Sequence, residues 1–404
     1  MRLESCTGLS GLRTDRELKS FQDVMSFYLD AGGRVKGTGK KVVASGPVSP
    51  LEMIYAAGAL PYDVVTRENL LQSMLEERCD LVQQATLAGM SPEFSPWNLV
   101  MLGSALGGKS LLAVDAFSTA VGGFPDQLTK SFQIMAQAAA RPLRFWEVPP
   151  FEPDAEKWAL PYLEKELAQL CEWLEIQTGN RVTAERLAGA IRQSNVIRKD
   201  MMELDALMAL PRSPMAALEY YMLHMLLGDF CQDPEALHSM FGDLLGELRA
   251  RLDSGYSVPG IPSSPIRIYV MGDETQELSF FNAIEDYGGC LVGCDFRLPA
   301  YYDFIDEKTE AFTAFAGWVW RMPNNMTAAA RVMAELPAIK KQKPDAVILS
   351  GVVGARLVPG AERLVRDTVR NELGVPALSI ETTLPHENTE KVDYQIRAFL
   401  ETMR

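Results

Sequence analysis

Short apolar runs alternate with longer amphipathic stretches across the first 150 residues. Residues 14–40 read as a helix, ELKSFQDVMSFYLDAGG, closed by Gly32 and Gly33, and GKKVVASG reads as a first short buried strand. SPLEMIYAAG follows as a helix with Ser49 as N-cap, Pro50 in the first turn and Gly58 as its stop. ALPYDVV is a second strand. LLQSMLEERCDLVQQATLAGM carries apolar residues at three-and-four spacing and reads as one helix. NLVMLGSA fits a strand or a helix, whereas SLLAVDAF reads as a strand, DQLTKSFQIMAQAA as a helix and LRFWEVP as a strand. This alternation predicts a parallel sheet covered by helices.

From about residue 153 to 255 the period becomes helical throughout, in three long stretches, and Thr183 opens TAER as a capping start. SVPGIPSSP, residues 257–265, reads as a linker. Alternation then returns: IRIYVMG, GCLVGCDF, DAVILSGVVG and VPALSIET as strands, with ELSFFNAIEDYG, AERLVRDTVRNELG and VDYQIRAFLETM as helices. The fold class is α/β, divided into an N-terminal helical segment (1–40), a first α/β domain (41–152), a helical segment (153–256) and a second α/β domain (266–404). Ligands of such sheets sit outside the carboxyl ends of the strands. The expected lining loops are SGPVSP, FSTAVGG, MGDET, CDFR, SGVVGAR and IETTLPHEN, none of them a GxGxxG or Walker loop.

Composition narrows the partners. A hydrophobic content of 47% in 404 residues supports more than one core. A formal net charge of -14 argues against nucleic acid and anionic membranes. No apolar run reaches the roughly 18 residues of a membrane span, and MRLESCTGLSGLRTDRELKS lacks the apolar middle of a signal peptide, so a cytoplasmic location is expected. Six cysteines without a CxxC pair and three scattered histidines suggest neither a disulfide scaffold nor an ordinary zinc site.

Several residues have both a structural and a chemical reading. Cys79 in EERCDLVQQ is either a buried helical thiol or a cluster ligand, and its acidic neighbours oppose a thiolate. Cys290 and Cys294 in GGCLVGCDFR would lie about 13 Å apart on an extended strand, too far to share a small cluster unless Gly293 bends the chain. Cys294 alone, near the strand end, is either core or cleft-facing. Glu52 lies in a first helical turn, where the helix dipole favours its charge, and Tyr55 shares its face. Lys40 and Lys41 are a solvated strand start or a clamp for an anion. Arg297 and Arg356 each follow a strand into a loop, placed for phosphate contact or for the surface. His386 reads as a loop histidine, and no Ser-His-Asp order is supported.

GKKVVASGPVSPLEMIYAAGALPYDVV resembles the opening of the 2-hydroxyacyl-CoA dehydratase and benzoyl-CoA reductase family: a Lys-rich turn, a strand, then a Pro-x-Glu helix into Ala-Ala-Gly-x-x-Pro. The likeness, which is to component-D-like subunits, continues through ERCDLV, TGNRVTAERLAGAIRQSNVIRKDMMEL, AIEDYGGCLVGCDFR and ELGVPALSIE. The resemblance implies two Rossmann-like domains with a helical part between them, and pairing with a related subunit. It also implies a 4Fe-4S iron–sulfur cluster held by three cysteines. A separate ATP-dependent activator protein would feed it one low-potential electron for reduction of an acyl-CoA or aryl-CoA thioester.

The sequence departs from that pattern at the ligands. Cys79 matches the first. Where relatives read Thr-Cys-Asp-Gly this chain has Ser118-Thr119-Ala120-Val121-Gly122, and SGVVGARLV has no third cysteine. Iron–sulfur clusters depend on thiolates, so the cluster is expected on the partner subunit. Lys40, Lys41 and Arg297 are then expected to meet CoA phosphates, and Glu52, Tyr55, Ser118 and Thr119 to line the acyl pocket. Cys79 and Cys294 remain the candidate metal ligands. The alternative is a non-redox paralogue that binds a CoA thioester or assists assembly.

Overall fold

The computed structural model describes residues 6–15, 17–46, 49–75, 80–110, 113–121, 126–296, 303–355, 361–384 and 387–404. Two four-stranded sheets, each wholly parallel, organise the chain. The first contains β1 (Val42–Ser45), β2 (Leu60–Asp63), β3 (Ala116–Val121) and β4 (Leu143–Glu147) in the order β2-β1-β3-β4. The second repeats that order as β6-β5-β7-β8, with β5 (Ile266–Gly272), β6 (Gly289–Cys294), β7 (Ala346–Val352) and β8 (Ala377–Thr382). The α/β class expected from alternation is therefore present, with two Rossmann-like sheets.

Local chemistry moves several boundaries. The opening helix does not stop at Gly32: α1 (Lys19–Leu29) is followed at once by α2 (Ala31–Thr38), which ends at Gly39 with φ +65°. A glycine inside a helix costs only about 1 kcal/mol, and Arg34 offsets it by donating to the Phe27 and Cys231 carbonyls. Ser49 is not the cap of α3 (Leu51–Ala56), because Pro50 occupies that position; Gly58, at φ +74°, does follow the helix. The long stretch after β2 divides into α4 (Val64–Met74) and α5 (Leu81–Leu87). NLVMLGSA is helical, within α6 (Pro96–Leu106).

The strand expected over SLLAVDAF starts later, at Ala116. Asp115 sets this start: its carboxylate accepts the Val42 amide at 3.0 Å and the Lys41 ammonium at 3.0 Å. The stretch expected as a loop, FSTAV, is therefore strand, and Ser118 pairs in register with Ser45. The sheet is covered by α4, α6 and α7 (Asp126–Ala138), whose Leu128, Phe132 and Met135 pack on Ala44 and Phe117.

The helical layer comprises α8 (Glu156–Thr178), α9 (Ala184–Met208), α10 (Ala217–Met225) and α11 (Pro234–Asp253). Thr183 caps α9 as the TAER pattern predicts, its hydroxyl accepting the Arg186 amide. Buried ion pairs rivet this layer to the first sheet. Arg198 of α9 meets Glu52 of α3 at 2.6 Å and lies over the Trp318 ring, and Arg67 of α4 makes a two-pronged pair with Asp229. In the second half, α12 (Ser279–Asp286) and α16 (Thr389–Glu401) cover one face of the sheet. The other face carries α14 (Ala328–Gln342) and α15 (Glu362–Leu373). Between them in sequence, α13 (Ala311–Trp320) leaves that sheet and packs Phe315 and Trp318 against α8 and α3. No helix among the described residues is long and apolar enough to cross a membrane.

Candidate functional site

In each sheet the chain leaves its first strand toward one edge and returns on the other side, so the order reverses between β1 and β3 and again between β5 and β7. The crevice outside the carboxyl ends at such a reversal is the natural ligand position. The two carboxyl edges approach each other through α6. This helix runs back along the sheet before β3, so its N-terminus lies at the carboxyl edge. The Trp97 indole donates to the Glu274 carbonyl at 3.1 Å, and Gly354, after β7, approaches Ser95 so closely that a Cβ there would lie 3.1 Å from its Cα. Gln276 also bonds to Asn69 of α4. Residues 47–48, 122–125, 297–302, 356–360 and 385–386 lie outside the described residues.

At the first reversal Gly46 and Thr119 meet on the face covered by α7, while Ser45 and Ser118, paired in register, turn to the opposite face of the sheet. A Cβ on Gly46 would sit 2.7 Å from Thr119 Oγ1 and 3.7 Å from Leu128 and Phe132, so only glycine fits. Ser45 Oγ and Ser118 Oγ are buried without a hydrogen-bond partner. A buried hydroxyl without a partner costs free energy, and a ligand carbonyl would satisfy it.

The other expected residues take different places. Glu52 is 1% exposed and committed to Arg198. The Tyr55 hydroxyl donates to the Asp229 carbonyl at 2.6 Å, and burial raises its phenol well above the ordinary value. Both thus face the helical layer. Lys40 and Lys41 precede β1 at the amino edge, the end of the sheet opposite Ser118 and Thr119. Arg297, Arg356, His386 and Cys79 lie outside the described residues.

Gly293 does bend β6, because Ile268 pairs with Leu291 and Tyr269 with Gly293, leaving Val292 as a bulge. Leu291 and Cys294 share one core, so this extra residue turns Cys290 to the opposite face. Cys294 is 2% exposed, and burial pushes its thiol well above the usual range. A shared cluster on Cys290 and Cys294 is therefore excluded by the sheet itself. Among the described residues no three His, Cys, Asp or Glu side chains converge for a metal. Ser118 and Thr119 offer hydroxyls and no thiolate, the donor on which iron–sulfur clusters depend.

At the second reversal lies a cavity of about 240 Å³, bounded by Gly272 and Leu349 of the sheet, by α14 and α15, and by the turn Pro323–Asn325. Arg331 bridges two buried carboxyls there, Asp295 at 3.1 Å and Glu335 at 2.9 Å. Burial raises Asp295 and pushes Glu335 up to about 8 against the pull of Arg331, so the two carboxyls keep a proton near neutral pH. Burial lowers the Arg331 guanidinium, but the two carboxyls more than offset this and hold it above its ordinary value. Asp273, whose carboxylate accepts the Val352 amide, is pushed by burial up to about 7. Reading the sequence missed Arg331, Glu335 and Asn324 of this group. The available signal was an aspartate directly after each of β5 and β6, in MGD and GCD.

The family model for the 2-hydroxyglutaryl-CoA dehydratase D-component matches residues 48–403. The chain belongs to that family. The resemblance to this family is thus correct, and the D-component match takes in the Pro-x-Glu helix, the strands after β1 and the helical layer. A search of curated proteins returns no match.

Proposed function

We propose that this chain is a subunit of a heteromeric 2-hydroxyacyl-CoA dehydratase, or of a benzoyl-CoA reductase-type enzyme, acting with a related cluster-bearing subunit and an ATP-dependent activator. The observation that carries this reading is D-component membership over residues 48–403. The family description supports an acyl-CoA substrate and a partner component. The donor set supports placing the cluster on that partner, since Ser118 and Thr119, within β3, offer hydroxyls and no thiolate in the stretch that resembles the family's Thr-Cys-Asp-Gly.

In this reading the chain binds and orients the thioester and closes one wall of the cleft. Ser118 Oγ, buried and without a protein partner, supplies a hydrogen bond to the thioester oxygen. Fixed donors aimed at developing negative charge are the most effective stabilisers of such a centre. Gly46 packs closely against Thr119, the residue next to Ser118 in β3. Electron transfer itself is assigned to the partner.

The test is reconstitution under anaerobic conditions. Conversion of a 2-hydroxyacyl-CoA to the enoyl-CoA should require this chain, the partner, the activator and ATP together, while this chain purified alone should hold far less than one cluster. Near-stoichiometric iron and sulfide in the chain alone would overturn the assignment to the partner. The missing thiolates also favour a second reading, a non-redox CoA-thioester-binding or assembly protein. Full turnover without this chain, with CoA-ester binding retained, would select it.

A further inference from the structure

The cavity at the second reversal has a size and a chemistry that select one part of a ligand. Whole drug-sized ligands occupy pockets of about 300–1,000 Å³, so a space of about 240 Å³ admits a single compact moiety and no complete acyl-CoA. Its walls are largely apolar, from Met271, Val332, Leu349 and Val365. Its cation is already engaged, because Arg331 bridges Asp295 and Glu335. A phosphate would therefore meet two carboxyls beside a neutralised guanidinium, and phosphate is disfavoured. The flexible pantetheine arm needs a channel, whereas this space is a slot between the sheet and two helices.

Asn324 supplies the remaining specificity. Its Oδ1 is buried without a hydrogen-bond partner and lines the slot. A side-chain amide offers an acceptor and a donor side by side, the pattern that pairs in two-pronged fashion with the N6 amine and N7 of adenine. An apolar slot, a cation already engaged, and two buried acceptors without partners, Asn324 Oδ1 and Glu335 Oε2, together describe a site for a flat ring that carries an amine, as a nucleobase does.

We propose that this cavity binds the adenine ring of the CoA thioester, which places the nucleotide end of the substrate on the second sheet and the thioester near the first. The choice of CoA as the source of the adenine rests on the acyl-CoA reading above; the base site itself does not.

Adenosine binding to the purified chain, measured by calorimetry with CoA, ATP and pantetheine as competitors, tests it. The expected result is that adenosine binds, CoA displaces it and pantetheine does not. Asn324→Leu should weaken both adenosine and CoA about tenfold, the lower end of the discrimination from one lost two-pronged pair. Because Asn324 Oδ1 bonds nothing in the protein, the fold should be unchanged by circular dichroism. Ala361→Trp, on the half-buried rim, should abolish adenosine binding by filling the slot. Unchanged adenosine affinity in both variants would overturn the proposal, as would displacement of adenosine by pantetheine. Displacement by ATP at concentrations where CoA fails would overturn the assignment to CoA. If CoA binds and adenosine does not, the base site falls and the acyl-CoA reading stands. If adenosine binds and no CoA ester does, the acyl-CoA reading falls instead.

Discussion

The first and second sheets repeat one strand order, and even place a serine at matching positions, Ser118 of β3 and Ser350 of β7, both buried with an unpartnered hydroxyl. Their reversal points nevertheless differ. The first is packed by Leu128 and Phe132 against Gly46 and presents only hydroxyls. The second stays open over about 240 Å³ and is edged by Arg331 with two buried carboxyls. One topology thus yields one closed crevice and one open one. The difference lies in the covering helices: α7 sends a phenylalanine inward where α14 sends charged side chains.

Removing the charge at the open crevice should have the largest effect. Arg331→Met leaves Asp295 and Glu335 buried without their cation, and breaking a buried pair in this way costs about 3–5 kcal/mol. Urea unfolding at pH 7 should show that loss; a change under about 1 kcal/mol, the scale of an exposed pair, would mean that the carboxyls are not held together by Arg331.

At the closed crevice, Gly46→Ala forces a methyl onto Thr119 Oγ1, and overpacking of this kind costs about 1–3 kcal/mol. The double variant with Thr119→Ala should regain most of it by the same measurement. If Gly46→Ala alone proves as stable as the parent, the first reversal has room after all.

A pH series sharpens the contrast. Glu335 rises from 4.5 to about 8 and Asp273 from 3.8 to about 7 on folding. The folded state therefore binds more protons than the unfolded chain across this range. The stability from these groups is fully present below about pH 4 and is lost as pH climbs through 7 and 8. Midpoints of thermal unfolding should fall from about pH 5 to about pH 8.5, and Glu335→Gln should flatten the slope. A slope identical in the variant would remove Glu335 as its source.

The smallest effects are expected at Ser118 and at the amino edge. Ser118→Ala removes a buried hydroxyl that bonds nothing in the protein, so stability should hold or rise, by up to about 1 kcal/mol. Turnover in the reconstituted enzyme should fall all the same, and unchanged turnover would take Ser118 out of the site. Lys40→Ala with Lys41→Ala, on the exposed side of the Lys41–Asp115 pair, should alter CoA-ester affinity by no more than about twofold, as exposed pairs are weak. A large, salt-sensitive loss would move the phosphates to that edge.

Much of this architecture is legible in the chain. Short apolar runs bounded by glycine and proline mark the strands of the second sheet almost to the residue, as in IRIYVMG, and the Thr183 cap is visible because its chemistry is local. The third strand is misplaced because SLLAVDAF looks more apolar than AFSTAV; its start is set by Asp115 bonding across to Val42, a contact between residues far apart in sequence. Glu52 reads as a site residue for a similar reason: a carboxylate in a first helical turn signals either chemistry or a partner, and Arg198, 146 positions away, decides it.

The sequence by itself determined the two parallel sheets, the helical layer between them and the absence of cysteine from Ser118 to Gly122, because periodicity and residue identity are local properties. Tertiary structure alone decided which hydroxyls lie buried without partners, which carboxyls burial raises and which crevice stays open. Those properties depend on the distances at which separate segments meet, and the bulge at Val292 illustrates it: one extra residue sends Cys290 and Cys294 to opposite faces of the same strand.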